Sequence, residues 1–241
     1  MKDYFRYTRA PWPAFAYTVP LLLAYQVLAF VVNLGQPRAV INGADGILRE
    51  MLSFLGVNGW LAGWLVVAVI AGLLAFRADV ENRGSPFRKQ YFPVLIAESA
   101  VYAVLFGGVV YSLVMGVFPW LPRLQMGGDG VSFGQKLAVS LGAGLYEELV
   151  FRLLLTGGLI WLFGRTPWKG AAIPLAVLIA SFIFSAFHYV GPYADAFRLT
   201  SFSFRFMAGI VLAGLFAVRG FAVAAWTHAL YDVFLLVTGH A

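Results

Sequence analysis

Apolar runs of about twenty residues follow one another along this chain and leave it little choice of fold. They cover 14–32, 59–76, 91–118, 135–163, 171–189, 200–218 and 221–238. A bilayer core is crossed by roughly 20 consecutive apolar residues, and only a helix or a closed barrel satisfies its own backbone polar groups there. The runs are too long for barrel strands. They predict an all-α, polytopic transmembrane bundle of about 7–8 helices. Composition agrees: 61% of the 241 residues are hydrophobic and 12% are charged, against about a quarter charged in a soluble domain. The first run lacks a small-residue cleavage site and is expected to remain a membrane helix.

The loops carry the orientation. Placing the N-terminus inside puts Lys2, Arg6, Arg9, Arg77, Arg83, Arg88, Lys89, Arg165, Lys169 and Arg219 on the cytoplasmic side. Arg38, Arg49, Arg123, Lys136, Arg198 and Arg205 then lie outside. The excess favours a cytoplasmic N-terminus. An eighth span hidden in the amphipathic piece 45–57 would reverse the C-terminal side. That piece is short for a span and suits the interface or a re-entrant turn. Breakers stand at Pro119 and Pro122, in the glycine-rich 127–130 stretch and at Gly191-Pro192. Trp60, Trp120, Trp161 and Trp168 near the run ends read as an interfacial belt. Gly209, Ala213 and Gly214 read as close-packing positions. The net charge of +6 fits loops facing anionic lipid. With no basic run interleaved with aromatics, no nucleic-acid partner is expected. The chain has no cysteine, which excludes thiolate chemistry.

Against this apolar background three charges fall in one run. Glu147, Glu148 and Arg152 stand in GLYEELVFRLLL, and each charge at mid-bilayer costs about 2.5–3.5 kcal/mol on insertion scales. Buried charges in a span mark a polar cavity and a functional site. On an α-helix residues four apart share a face, so Glu148 meets Arg152 and the two neutralise each other. Glu147 points about 100° away and stays free to face a cavity. Two later runs supply Phe184 with His188, and His228 with Asp232, again four apart. A carboxylate and an imidazole can take a proton from water and return it to a leaving amine. A second imidazole, its tautomer fixed by Asp232, can donate to an oxyanion. These are the roles needed for peptide-bond hydrolysis. Each element has a plainer reading: a stapling ion pair, a core histidine, a helix-bridging hydrogen bond.

The order Glu147-Glu148-x-x-x-Arg152, Phe184-x-x-x-His188, His228-x-x-x-Asp232 resembles the CPBP family of intramembrane proteases. That family holds the CAAX prenyl endopeptidases and bacteriocin-processing and immunity relatives. Arg205, Gly209 and Gly214 resemble the basic, glycine-rich helix that the family often places between its last two motifs. The likeness spans about 135–238 and sets 135–241 as a catalytic half behind N-terminal helices 1–134. It implies an integral membrane hydrolase of a bacterial plasma membrane, with its cavity open to the cytoplasm. It further implies that Glu147 and His188 activate water and that His228 and Asp232 stabilise the oxyanion. Glu148, Arg152, Phe184 and Arg205 would support the site. The family's best-studied endopeptidases carry Asn at the last position, where this chain has Asp232. The substrate would be a membrane-anchored or prenyl-like peptide, and no cofactor is expected. A zinc alternative, with Glu147, His188, His228 and Asp232 as ligands, stays open, although no HExxH motif is present. A silent scaffold or immunity-type protein of the same fold, and a proton-coupled carrier, are the competing classes.

Overall fold

The computed structural model describes residues 2–36, 39–57, 60–83, 87–120, 132–191 and 194–239. Arg38, Arg123, Pro122, Pro192 and the 127–130 stretch lie outside them, as does the side chain of Trp60. Helices run α1 (Lys2–Thr8), α2 (Pro11–Val32), α3 (Gly43–Phe54), α4 (Trp60–Arg83), α5 (Tyr91–Val117) and α6 (Phe133–Gly142). A π-helical segment, Ala143–Thr156, follows, and then α7 (Gly157–Phe163), α8 (Ala172–Phe187), α9 (Leu199–Arg219) and α10 (Phe221–Thr238). No strand occurs among the described residues. The all-helical, polytopic architecture read from the apolar runs is the observed one.

Among the described residues, five helical stretches are long and apolar enough to cross a membrane: Pro11–Val32, Tyr91–Val117, Lys169–Phe187, Leu199–Arg219 and Phe221–Thr238. The two other expected spans differ from the reading in instructive ways. α4 does not stop at residue 76 but continues to Arg83, because Arg77, Ala78, Glu81 and Arg83 are adequate helix formers. The run 135–163 is not one α-helix. It is α6, then fourteen π-helical residues, then α7. The 45–57 piece forms α3, whose 12 residues at 1.5 Å each cannot cross a bilayer. α3 leaves Met51, Phe54 and Leu55 outward and packs on the π-helical segment, as an interfacial helix would. Trp120, Trp161 and Trp168 are exposed, as belt residues should be.

α10 is the centre of the bundle and packs against α2, α5, α6, α9 and the π-helical segment. Its first half makes this possible. Ala222, Val223, Ala224, Ala225 and Ala229 are wholly buried, and small side chains let backbones close in. One core joins Leu21, Tyr25 and Ala29 of α2 with Trp64, Ala138, Leu145, Tyr146, Ala225 and Ala229. A second joins Ala103, Phe106 and Val110 of α5 with Met207, Leu212 and Tyr231. α8 lies on α9 and the π-helical segment. Gly209 closes the α8–α9 contact, since a Cβ there would stand 2.9 Å from the Ser181 Cβ. Gly214 has open space instead, so the close-packing expectation fails at that position.

The tightest approach is between the π-helical segment and α10. A Cβ on Gly144 would fall 2.4 Å from the Ala229 Cβ, 2.5 Å from its backbone nitrogen and 2.7 Å from the Ala225 carbonyl oxygen. Two of those atoms are backbone and cannot rotate away. Gly144→Ala is therefore expected to destabilise by about 1–3 kcal/mol, the cost of overpacking. Gly158→Ala, at a helical position with nothing within 4 Å, should hold or raise stability. Thermal unfolding of both variants in detergent checks the contrast.

Candidate active site

The close contact at Gly144 sets Glu148, one turn on, against His228. Oε1 of the wholly buried Glu148 accepts a hydrogen bond from His228 Nδ1 at 2.8 Å. The same oxygen is 3.2 Å from Arg152 Nη1. The i, i+4 pairing read from the sequence thus survives in a π-helical backbone. Such backbone is rare, and where it occurs it frequently marks a functional site. Arg152 is 1% exposed and its guanidinium lies over the Phe184 ring, 4.2 Å from the centroid. Phe184 in turn packs edge-on to Phe151. Phe184 is therefore a platform for the arginine as well as the residue one turn before His188.

That turn also fixes His188. Its Nδ1 is 2.9 Å from the Phe184 carbonyl oxygen. A carbonyl only accepts, so Nδ1 carries a proton, and in the neutral ring the lone pair is on Nε2.

Glu147 is 7% exposed and lies within electrostatic reach of both His188 and His228. Its Oε1 accepts from Asn42 Nδ2 at 2.8 Å. Sequence reasoning missed Asn42. It is the N-cap of α3, and its Oδ1 accepts from the Ala44 N–H at 2.9 Å. Because the cap uses the oxygen, the amide nitrogen must face Glu147. The signal was present locally, as Asn-Gly-Ala-Asp opening an amphipathic run is an N-terminus signature. The partner 105 residues away was not. α3 is tied down behind its cap: buried Asp45 takes Arg49 through 2.7 and 2.8 Å bonds and also accepts from the Tyr25 hydroxyl.

Asp232 stands differently from the expectation. Its Oδ2 is 3.7 Å from His228 Nε2, beyond hydrogen-bond length. The group that orients His228 is Glu148, on the other ring nitrogen. Arg205 does not reach the carboxylates either. It binds Asp195 at 2.5 Å, Ser201 at 3.0 Å and the Tyr189 hydroxyl at 3.2 Å, holding α9 to the chain that leaves His188. Among the described residues, no group of three or more His, Asp or Glu side chains is placed to hold a metal ion.

Residues 130–234 match the family model described as type II CAAX prenyl endopeptidase, Rce1-like. The match is somewhat under half of the chain and takes in all three motifs. No curated protein matches, and no solved structure matches.

Proposed function

We propose that this integral membrane chain is an intramembrane endopeptidase that hydrolyses a peptide bond in a membrane-associated protein or peptide. The family match supports a CAAX-type protease at the level of the family. The observation that carries the finer reading is the pairing of two prepared groups. One is Glu147, a buried carboxylate oriented by Asn42. The other is His188, with its Nε2 lone pair free of the backbone bond. In the proposed cycle they take a proton from water as its oxygen adds to the scissile carbonyl carbon. They return that proton to the departing amine as the carbon–nitrogen bond breaks. His228, doubly protonated and held through Nδ1 by Glu148, donates from Nε2 to the oxyanion. Asp232 balances that ring's charge from 3.7 Å without donating itself.

The test is cleavage of a prenylated C-terminal peptide and of a membrane-anchored reporter by the purified chain in proteoliposomes, read by mass spectrometry. Truncated product is expected from at least one of them. Cleavage of neither, together with proton or solute flux across the sealed vesicles, would replace the protease with a carrier. The same assay decides Asp232. Asp232→Asn should keep activity within about tenfold, because a side-chain amide preserves shape and can donate toward the oxyanion. A chelator should leave the wild type active. A dead Asp232→Asn with a chelator-sensitive wild type would make Glu147, His188, His228 and Asp232 metal ligands after all.

A further inference from the structure

A second polar feature lies away from these carboxylates. At one end of the bundle a cleft of about 670 Å³ opens between α1 and the α9–α10 junction, lined by Phe5, Arg6, Arg9, Ala10, Val218 and Arg219. Half of its lining is arginine. Arg6 Nη2 donates to Asp3 at 3.0 Å, and Arg9 Nη2 to the Ala217 carbonyl at 3.2 Å. Arg219 is 5% exposed. Its Nε and Nη2 grip Glu98 at 2.6 and 2.8 Å, and Nη2 also reaches Thr8 at 3.3 Å. Its Nη1 is buried and makes no hydrogen bond among the described residues. The guanidinium is stacked 4.2 Å from the Phe5 ring, which holds it at the cleft wall.

The charge count points the same way. Two carboxylates, Asp3 and Glu98, bind three of the four arginines here, Arg6 and Arg88 sharing Asp3. Arg9 keeps only a carbonyl in the contacts given above. Gly220, at φ 85°, makes the turn into α10, and a Cβ there would stand 3.3 Å from the Arg9 Cα. That brings the start of α10 beside Arg9, where the C-terminal carbonyls of α9 also lie. α9 ends at Arg219, α2 begins at Pro11 and α5 begins at Tyr91, all helices long and apolar enough to cross a membrane, and the ends of such helices fall at headgroup level.

We propose that this cleft is a phosphate-binding site, the phosphate being that of a lipid headgroup at the membrane surface or a free phosphate ion. The Arg9 and Arg6 guanidinium groups are its donors, the buried Arg219 adds positive charge from behind the cleft wall, and Phe5 lies along the adjoining apolar segment.

The probes are short-chain phosphatidylglycerol, short-chain phosphatidylcholine and inorganic phosphate, added separately to the purified full chain in neutral detergent. The readout is the shift in Tm, which rises when a ligand binds the folded state. Phosphatidylglycerol is expected to raise Tm most. The Arg6→Gln/Arg9→Gln variant should need about tenfold more lipid for the same shift, having lost charge-assisted hydrogen bonds. Arg9→Gln alone, which breaks only a bond to a carbonyl, should show part of that loss and guards against misfolding of the double variant. Arg165→Gln/Lys169→Gln, which removes two exposed charges that do not line the cleft, should respond as wild type does. An arginine-dependent shift from inorganic phosphate at equal concentration would support the site with a free ion as its source. Equal responses in wild type and the Arg6/Arg9 variants, or no shift with any probe, would overturn the proposal. So would an equal loss in the Arg165/Lys169 control.

Discussion

Glu147→Gln is expected to lower peptide cleavage by about 10²–10⁴-fold, the usual loss on removing a catalytic acid–base group, with little change in Tm. Glutamine has the shape of glutamate, and its carbonyl oxygen can still accept from Asn42 Nδ2, now 2.8 Å from Glu147 Oε1. The packing of α3 on the π-helical segment is thus preserved while the base is lost. Initial rates on the membrane-anchored reporter, beside a melting curve of the same preparation, measure both. Near-normal cleavage by a folded Glu147→Gln would sink the role given to this carboxylate.

The opposite profile is expected of Arg152→Ala. Glu148 has two partners, Arg152 Nη1 at 3.2 Å and His228 Nδ1 at 2.8 Å, and is wholly buried. Removing the arginine takes one of its two charged partners from a carboxylate in a low-dielectric interior and leaves it only the His228 ring. Breaking a buried pair from one side costs about 3–5 kcal/mol. The Phe184 face also loses the cation stacked on it. The variant should melt well below Glu147→Gln and give less folded protein. Arg205→Ala is the natural control. Its ion pair with Asp195 is partly exposed, and such pairs are worth about 0–1 kcal/mol. If Arg152→Ala and Glu147→Gln melt together, Arg152 is not the structural partner of Glu148.

How much of this was legible beforehand divides along sequence distance. The apolar runs located α2, α5, α8, α9 and α10 because their hydropathy depends only on neighbours along the chain. The Glu148–Arg152 pair was legible for the same reason, its two members being one turn apart. The contacts that give the site its geometry join residues far apart: Asn42 with Glu147, Glu148 with His228. No local pattern announces them. Asp232 shows the hazard in reverse. Helical spacing placed it beside His228, but a shared helix face does not guarantee hydrogen-bond distance, and the ring was claimed by a carboxylate from another segment. The π-helical backbone was hidden too. Its residues keep an apolar pattern that an ordinary helix would show equally, and the wider turn declares itself only in backbone i→i+5 bonds such as the Gly157 N–H to the Arg152 carbonyl.

One amide joins two events that look separate. Asn42 starts α3 with its oxygen and holds Glu147 with its nitrogen. Unwinding the first turn of α3 releases the oxygen, lets the amide rotate and takes the donor away from the carboxylate. Conversely, a carboxylate that swings off Asn42 loosens the start of α3. The orientation of Glu147 and the winding of α3 therefore depend on one side chain, and Met51, Phe54 and Leu55 are exposed at the far end of that helix.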